Sequence, residues 1–486
     1  MKKTITQFIH NHSLATLSVI YFLSRIVNLT KLPIFNDEAI YLDWGWKSLY
    51  TSAGLFYSLY DAKPPLLIWI FGVFENIFNS PLLAGRIVSV MFGFLTLAGI
   101  YKIAKNLGDE RLARLSSIVY IIVPLFAFFD RQALMESAIA GCGIWSFYFL
   151  LRILETKKTK YAVCLGLILG IGIFIKLSAF VFLISVSLIL IYKKHFKEFA
   201  LSAISSLIIV SPLFFQKIFW TSLNTNNRFM LSIPELLSFP FSLWIRNFST
   251  AVNISFFYLT PFVFILSICG IYFLLKRKDR ILPTFFLTGF ILVLFSGKSL
   301  NPRYLSAFFP LISVFCAYTL FNFRKAHAIL IGSVSTIPTI MITYLLVISP
   351  ITYFNVMDKM TVFSQKSEYL TGWTSGYGIP EVVDYLNQKG KDKKIIAGVR
   401  IDAGNPESAV FAYFNNSAWV KPTYIDSRNL DRSVLNLSCL TSPIPVYFVA
   451  RDGNLAGLDK FFVEEKRYYK PENISYISIS ALKACD

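Results

Sequence analysis

The stretch LLIWIFGVFENIFNS, residues 66–80, decides how the chain threads. It is apolar, but Glu75 interrupts it and it falls short of the roughly 17–25 residues that cross a bilayer. If it crossed, every later loop would change sides and the basic loops would face outward. The positive-inside rule argues against that. The segment therefore reads as an interfacial helix under the outer leaflet, where such a length and an acidic residue are tolerated.

The rest of the chain supports a membrane reading. Of 486 residues, 55% are hydrophobic and only 15% charged, against about 25% charged in soluble domains. Residues 1–12 (MKKTITQFIHNH) lack a following small-residue cleavage site, so 13–30 reads as a retained first span. Further spans are expected at 84–104, 112–129, 133–152, 161–176, 178–192, 199–219, 255–275, 281–296, 304–322 and 327–349. The basic loops 105–114, 152–160, 193–198, 276–280 and 322–327 belong in the cytoplasm. They alternate with 129–132, the turn at Lys176, the long loop 220–254 and 297–304, which face outside. About eleven spans follow, with a cytoplasmic N-terminus and a long external first loop, 31–83, that carries the interfacial helical segment.

After about residue 350 the composition shifts. GIPEVVDYLNQKGKDKK (378–394) reads as a helix with a polar face, and KIIAGV, TYID and VYFVAR read as short strands, with RDGN (451–454) as a turn. Residues 1–350 thus form a transmembrane domain, and 351–486 a small soluble α/β domain on the extracytoplasmic side.

The net charge of +19 is that of cytoplasmic loops attracted to anionic headgroups, not of a nucleic-acid binder. Cys142, Cys164, Cys269 and Cys316 fall in apolar runs as small core residues. Cys439 and Cys485 lie in the polar tail, where an oxidising compartment would permit a disulfide. The four histidines form no metal-ligand pattern, and neither a phosphate-binding G-x-x-x-x-G-K-[ST] loop nor a G-x-S-x-G nucleophile motif is present.

Charged groups gather at the outer ends of the spans. They are Asp37 and Glu38 in IFNDEAIYLDWG (34–45), Lys63 in YDAKPP (60–65), Asp130 and Arg131, Glu136, Lys176, and Lys298 with Arg303. Topology puts them at one level of the membrane. Acids and cations held together there fit a phosphate-bearing substrate whose lipid tail stays in the bilayer. Each also has a plainer reading. Asp37 and Glu38 could cap a helix, Lys63 could snorkel, and Asp130 and Arg131 could pair with each other. Arg86 in AGRIVS serves equally as an anchor or a ligand. Tyr304, Trp44, Trp46 and Trp69 fit an interfacial aromatic belt. Lys176 has no obvious local partner.

The Asp-Glu pair after the first span, the K-P-P before a helix, the Arg opening the next span (AGRIVSV) and the late R-Y together resemble the GT-C glycosyltransferases. More closely, they resemble the protein O-mannosyltransferase and aminoarabinose-transferase superfamily, with its bacterial cell-envelope members. The resemblance covers about residues 10–350. It implies a sugar donor on a polyprenyl phosphate, and transfer with inversion to a lipid, glycan or protein hydroxyl on the outer face. It implies Asp37 as general base with Glu38 assisting, and Lys63, Tyr60, Arg303 and Tyr304 around the donor phosphate. Asp130, Arg131, Glu136, Lys176, Lys298 and Arg86 would form a further acidic and basic shell, with either Asp130 or Glu136 as the second acidic position. No cofactor is required beyond the donor, and a divalent ion is left open and unassigned. The partners implied are membrane lipid, the lipid-linked donor and the acceptor. A transporter or flippase of a lipid-linked or small anionic substrate is the alternative, and a membrane scaffold a third. A transporter would be expected to show inverted repeats and broken helices near mid-membrane, whereas the charges here gather at one face.

Overall fold

Apolar periodicity, proline and capping residues divide the chain into helices. The computed structural model of the chain describes residues 13–223, 229–361, 363–401, 404–425 and 444–483. Each of the eleven expected windows contains helix. Among the described residues, four helices are long and apolar enough to cross a membrane: Pro81–Leu107, Glu136–Thr156, Phe196–Phe214 and Ala326–Ile348. Counting each of two bent pairs as one span makes six, and the other apolar helices are 10–17 residues long. Helix length alone therefore does not reproduce eleven full crossings.

Helix boundaries have local causes. Ser80 accepts from the Leu83 N–H and Pro81 opens the long helix at N1, which suits a residue without a donor. Asp109 accepts from the N–H groups of Arg111 and Leu112 to start Glu110–Ile122. Pro124 then bends the chain, so Pro124–Asp130 leaves at 69°.

One expectation is corrected. Residues 220–254 were expected as a loop and 255–275 as a span. Instead Phe241–Tyr258 forms one helix and Pro261–Lys276 a second, turned by 116°. Thr260 at φ 74 and Pro261, which has no N–H to continue the ladder, force the break. Asn247 Nδ2 donates to the carbonyls of Leu294 and Gly297, at 3.0 and 2.8 Å, and ties the first helix to the end of Ile281–Ser296.

The stretch at 66–80 folds as the ten-residue helix Leu66–Glu75, too short to span. It crosses the helix Asn36–Tyr50 at near-backbone contact. A Cβ added at Gly72 would lie 2.4 Å from the Gly45 carbonyl oxygen. This crossing carries Lys63, just before the shorter helix, toward the start of the longer one.

Beyond residue 350 a five-stranded sheet forms from β1 (Ile395–Val399), β2 (Val420–Tyr424), β3 (Val446–Arg451), β4 (Phe462–Tyr469) and β5 (Tyr476–Leu482), in the order β2-β1-β3-β5-β4. β1 pairs parallel with β2 and β3, while β5 is antiparallel to β3 and β4. Helix Ile379–Lys389 lies within the predicted helical stretch. KIIAGV and VYFVAR correspond to β1 and β3, whereas TYID overlaps β2 only at Thr423 and Tyr424. β4 was missed because its solvent-facing run, EEKR, hides the apolar alternation.

The C-terminal sheet domain rests on the segment that follows the first helix. The Asn36 N–H donates to the Thr374 carbonyl at 3.0 Å, and Asn405 Nδ2 donates to the carbonyls of Ile34 and Thr374. Asn415 Nδ2 donates to Asp43 Oδ1 at 3.0 Å. Cys142 and Cys316 are buried as expected and Cys164 and Cys269 partly so. Cys439 and Cys485 lie outside the described residues.

Candidate active site

The two adjacent carboxylates part company within one helical turn. Asn36–Tyr50 begins after Phe35, which puts Glu38 at the third helical position, where it accepts from the Phe35 N–H at 2.9 Å. Its oxygens also accept from Arg86 at 2.7 and 2.9 Å and from the Ala133 N–H at 2.6 Å. Arg86 donates further to the carbonyls of Leu29, Leu32 and Pro33. Both side chains are fully buried. Glu38 therefore caps and Arg86 clamps the entry loop. The capping reading holds for Glu38 and does not hold for Asp37.

Asp37, about 100° farther round the helix, faces a different set. Its Oδ2 accepts from Arg303 Nη1 at 2.6 Å. Arg303 Nε reaches Glu136 Oε1 at 3.0 Å, and the same oxygen accepts from Lys176 Nζ at 2.9 Å. Lys176, expected without a partner, thus has one, although it keeps further donors. Glu136 Oε2 is buried without a hydrogen-bond partner. Lys63 Nζ stands 5.1 Å from the ring centroids of both Tyr41 and Trp44 and 3.0 Å from Asp61 Oδ2. Burial raises the Asp37 carboxyl, but the charges of Arg303 and Lys63 outweigh it and hold the group below the ordinary aspartate value. Asp37 is therefore an ionised carboxylate at neutral pH.

Tyr304 is half-buried beside Arg303, whose charge reaches its hydroxyl. Two neighbours of the cluster were missed from sequence. Tyr41 lies one turn after Asp37 on the same helix, so i,i+4 spacing could have found it. Glu368 comes from the segment Ser367–Thr371, held by Asn301 and Gln365 at 3.4 Å each. No local signal pointed to it.

The remaining expected residues lie elsewhere. Asp130 pairs with Arg25 at 3.1 Å and accepts from Tyr120 and Ser137. Arg131 donates to the carbonyls of Ser24, Arg25 and Asn28 and so closes the end of the first helix. The expected local pair between Asp130 and Arg131 is thus replaced by two separate contacts with helix Ser13–Ile26 and its end. Of the two candidate acids, Glu136 joins the Asp37 cluster and Asp130 does not. Lys298 pairs with the half-buried Glu235 at 2.9 Å. Tyr60 is 71% exposed and packs on Tyr57, outside the cluster.

For a metal the residues do not fit. Asp37 and Glu136 are the cluster's two carboxylates on Arg303, and no group of three or more His, Cys, Asp or Glu among the described residues could hold an ion.

Residues 62–216, about a third of the chain, match the family model of dolichyl-phosphate-mannose-protein mannosyltransferases. No curated protein matches the sequence. Among solved structures, ArnT from Cupriavidus metallidurans bound to undecaprenyl phosphate superposes with a TM-score of 0.60 at 15% identity, over 100% of this chain and 99% of that one. The same protein in its apo state gives 0.59 at 14% identity, over 98% of both chains. The Archaeoglobus fulgidus oligosaccharyltransferase in complex with zinc and sulfate gives 0.50 at 13% identity, over 94% of this chain and 72% of its own. The architecture is thus the GT-C fold, ArnT-like along the whole chain.

Proposed function

We propose that this protein is a membrane glycosyltransferase that moves a sugar from a polyprenyl phosphate to a hydroxyl acceptor at the extracytoplasmic face. The observation that carries the reading is the Arg303 guanidinium between Asp37 and Glu136, with Lys176 and Lys63 beside it. An ArnT-like fold and a family-model match in the protein mannosyltransferases agree with it.

The chemistry follows from the charges. The acceptor oxygen attacks the anomeric carbon from the face opposite the phosphate, so the product is inverted. The acceptor proton passes to the Asp37 carboxylate. The C1–O bond to phosphate breaks, and its electron pair leaves with the phosphate oxygen. Lys63, Lys176 and Arg303 stabilise the developing charge. One such cation at 4 Å contributes up to about 4 kcal/mol at an effective dielectric near 20, before desolvation. Glu136 orients Arg303 and Lys176. The donor sugar is a hexose or pentose, and the outer domain, residues 351–486, faces the same side as the site. In this orientation the N-terminus is cytoplasmic.

Mass spectrometry of lipid-linked sugars and surface glycans in a deletion strain tests the proposal. A transferase leaves the acceptor unglycosylated while its donor lipid is still made. A normal acceptor, or loss of the donor itself, contradicts it.

A further inference from the structure

The outer domain carries a cleft that the chemistry above leaves unused. It opens at the carboxyl ends of β1 and β3 and is lined by Arg400, Asn405, Glu407, Arg451 and Asn454, among others. From β1 the chain passes to β2 on one side and later to β3 on the other. The cleft therefore lies at the reversal of strand order, where open α/β sheets take ligands.

Three buried polar atoms here lack a partner. Asn405 is 1% exposed, and its Nδ2 donates to the carbonyls of Ile34 and Thr374, which fixes the amide and turns Oδ1 the other way. That Oδ1 has no hydrogen-bond partner. The Oδ1 of Asn36, 4% exposed, has none either, and a Cβ added at Gly404 would stand 3.5 Å from it. Arg400 Nε is the third. Buried polar atoms in folded chains are nearly always satisfied, so two orphans on residues that line the cleft, with a third beside its Gly404, mark a ligand position.

The rim is aromatic. Trp373 is 51% exposed, with the Arg451 guanidinium 5.9 Å from its ring centroid. Lys470 Nζ donates to the carbonyls of Gly372 and Ser375 and so holds the loop that presents this ring. Gly404, at φ +121, lets the ring edge approach where any side chain would collide.

The three features select one chemistry. The two amide oxygens need hydrogen-bond donors, which a bare carboxylate or phosphate ion lacks and sugar hydroxyls supply. The Arg400 guanidinium, whose Nε has no partner among the described residues, favours an anion. The exposed indole face suits the apolar face of a pyranose ring. We propose that this cleft binds an acidic saccharide, a sugar bearing hydroxyls and a carboxylate or phosphate, as the anchoring unit of the acceptor glycan. The word acceptor rests on the transferase reading; the saccharide site does not. Asn36 directly precedes Asp37, so a glycan seated here has its neighbouring units against the helix start that carries the carboxylate.

Calorimetric titration of the purified full-length protein tests this with hexuronic-acid trisaccharides, a hexose phosphate, a neutral hexose trisaccharide and inorganic phosphate. An acidic saccharide is expected to bind at least ten-fold tighter than the neutral sugar and than inorganic phosphate. Arg400→Gln and Trp373→Ala should each weaken it at least ten-fold at unchanged melting temperature. Where Arg400→Gln melts early, Arg400→Lys, which keeps the charge without the Nε donor, should weaken binding at least five-fold. No acidic saccharide binding, binding matched by inorganic phosphate, or binding indifferent to these variants overturns the proposal. A polyprenyl phosphate titrated into the same preparation separates the two readings. Lipid binding without saccharide binding removes the cleft alone, and saccharide binding without lipid binding removes the donor site alone.

Discussion

Asp37 and Arg303, 266 residues apart in sequence, meet at 2.6 Å between Oδ2 and Nη1. Arg303 meets Glu136 through Nε at 3.0 Å. One planar guanidinium thus holds two acids from different parts of the chain in a fixed relation, which a lysine cannot do with a single nitrogen. Arg303→Lys is expected to lower transfer by about 10²-fold or more, the scale of losing one transition-state donor. Turnover of purified variant at matched folded protein checks it.

The inward-turned acids should behave differently. Glu38→Gln and Asp130→Asn each remove the charge facing a buried guanidinium, Arg86 or Arg25. Breaking a buried pair from one side costs about 3–5 kcal/mol. Both variants are expected to melt early in detergent, with loss of activity that tracks the loss of folded protein.

The charges around Asp37 give a pH prediction. Its carboxyl lies below the ordinary aspartate value because Arg303 and Lys63 outweigh burial. The acid limb that Asp37 sets on kcat/KM therefore falls below about pH 4. The stability from this group is present above its unfolded pKa and is lost as pH falls through the lower folded one. Lys63→Met removes one of the lowering charges, so the limb should move upward. A pH profile of residual transfer in the variant checks the sign.

Gly72→Ala tests the helix crossing that delivers Lys63. The new Cβ would lie 2.4 Å from the Gly45 carbonyl oxygen, a backbone atom that cannot step aside. Overpacking of this kind costs about 1–3 kcal/mol. The expected result is a lower melting temperature together with weaker donor binding.

Much of this was legible in the sequence because threading is set by apolar length and basic loops. Topology alone placed Asp37, Lys63, Glu136, Lys176 and Arg303 at one level, and the structure brings their side chains together. Helix rotation was not legible. Asp37 and Glu38 are neighbours in sequence, yet one turn of helical geometry sends the first to Arg303 and the second to Arg86. That Asp130 lies away from the Asp37 cluster follows from its tertiary contact with Arg25, which has no sequence mark distinguishing it from an ordinary span-end arginine. The break at Thr260 and Pro261 was hidden by continuous apolar composition on both sides. Tyr60 and Lys298 sat in the right loops but their side chains point to other surroundings.

The central claim is that Asp37 takes the acceptor proton while its cationic neighbours hold the donor phosphate. Parallel measurement of polyprenyl-phosphate sugar binding and of transfer by purified Asp37→Asn tests it most directly. The account predicts donor affinity within about three-fold of wild type and transfer reduced at least 10²-fold, the lower range of general acid–base contributions. Transfer at the wild-type rate by Asp37→Asn would contradict it.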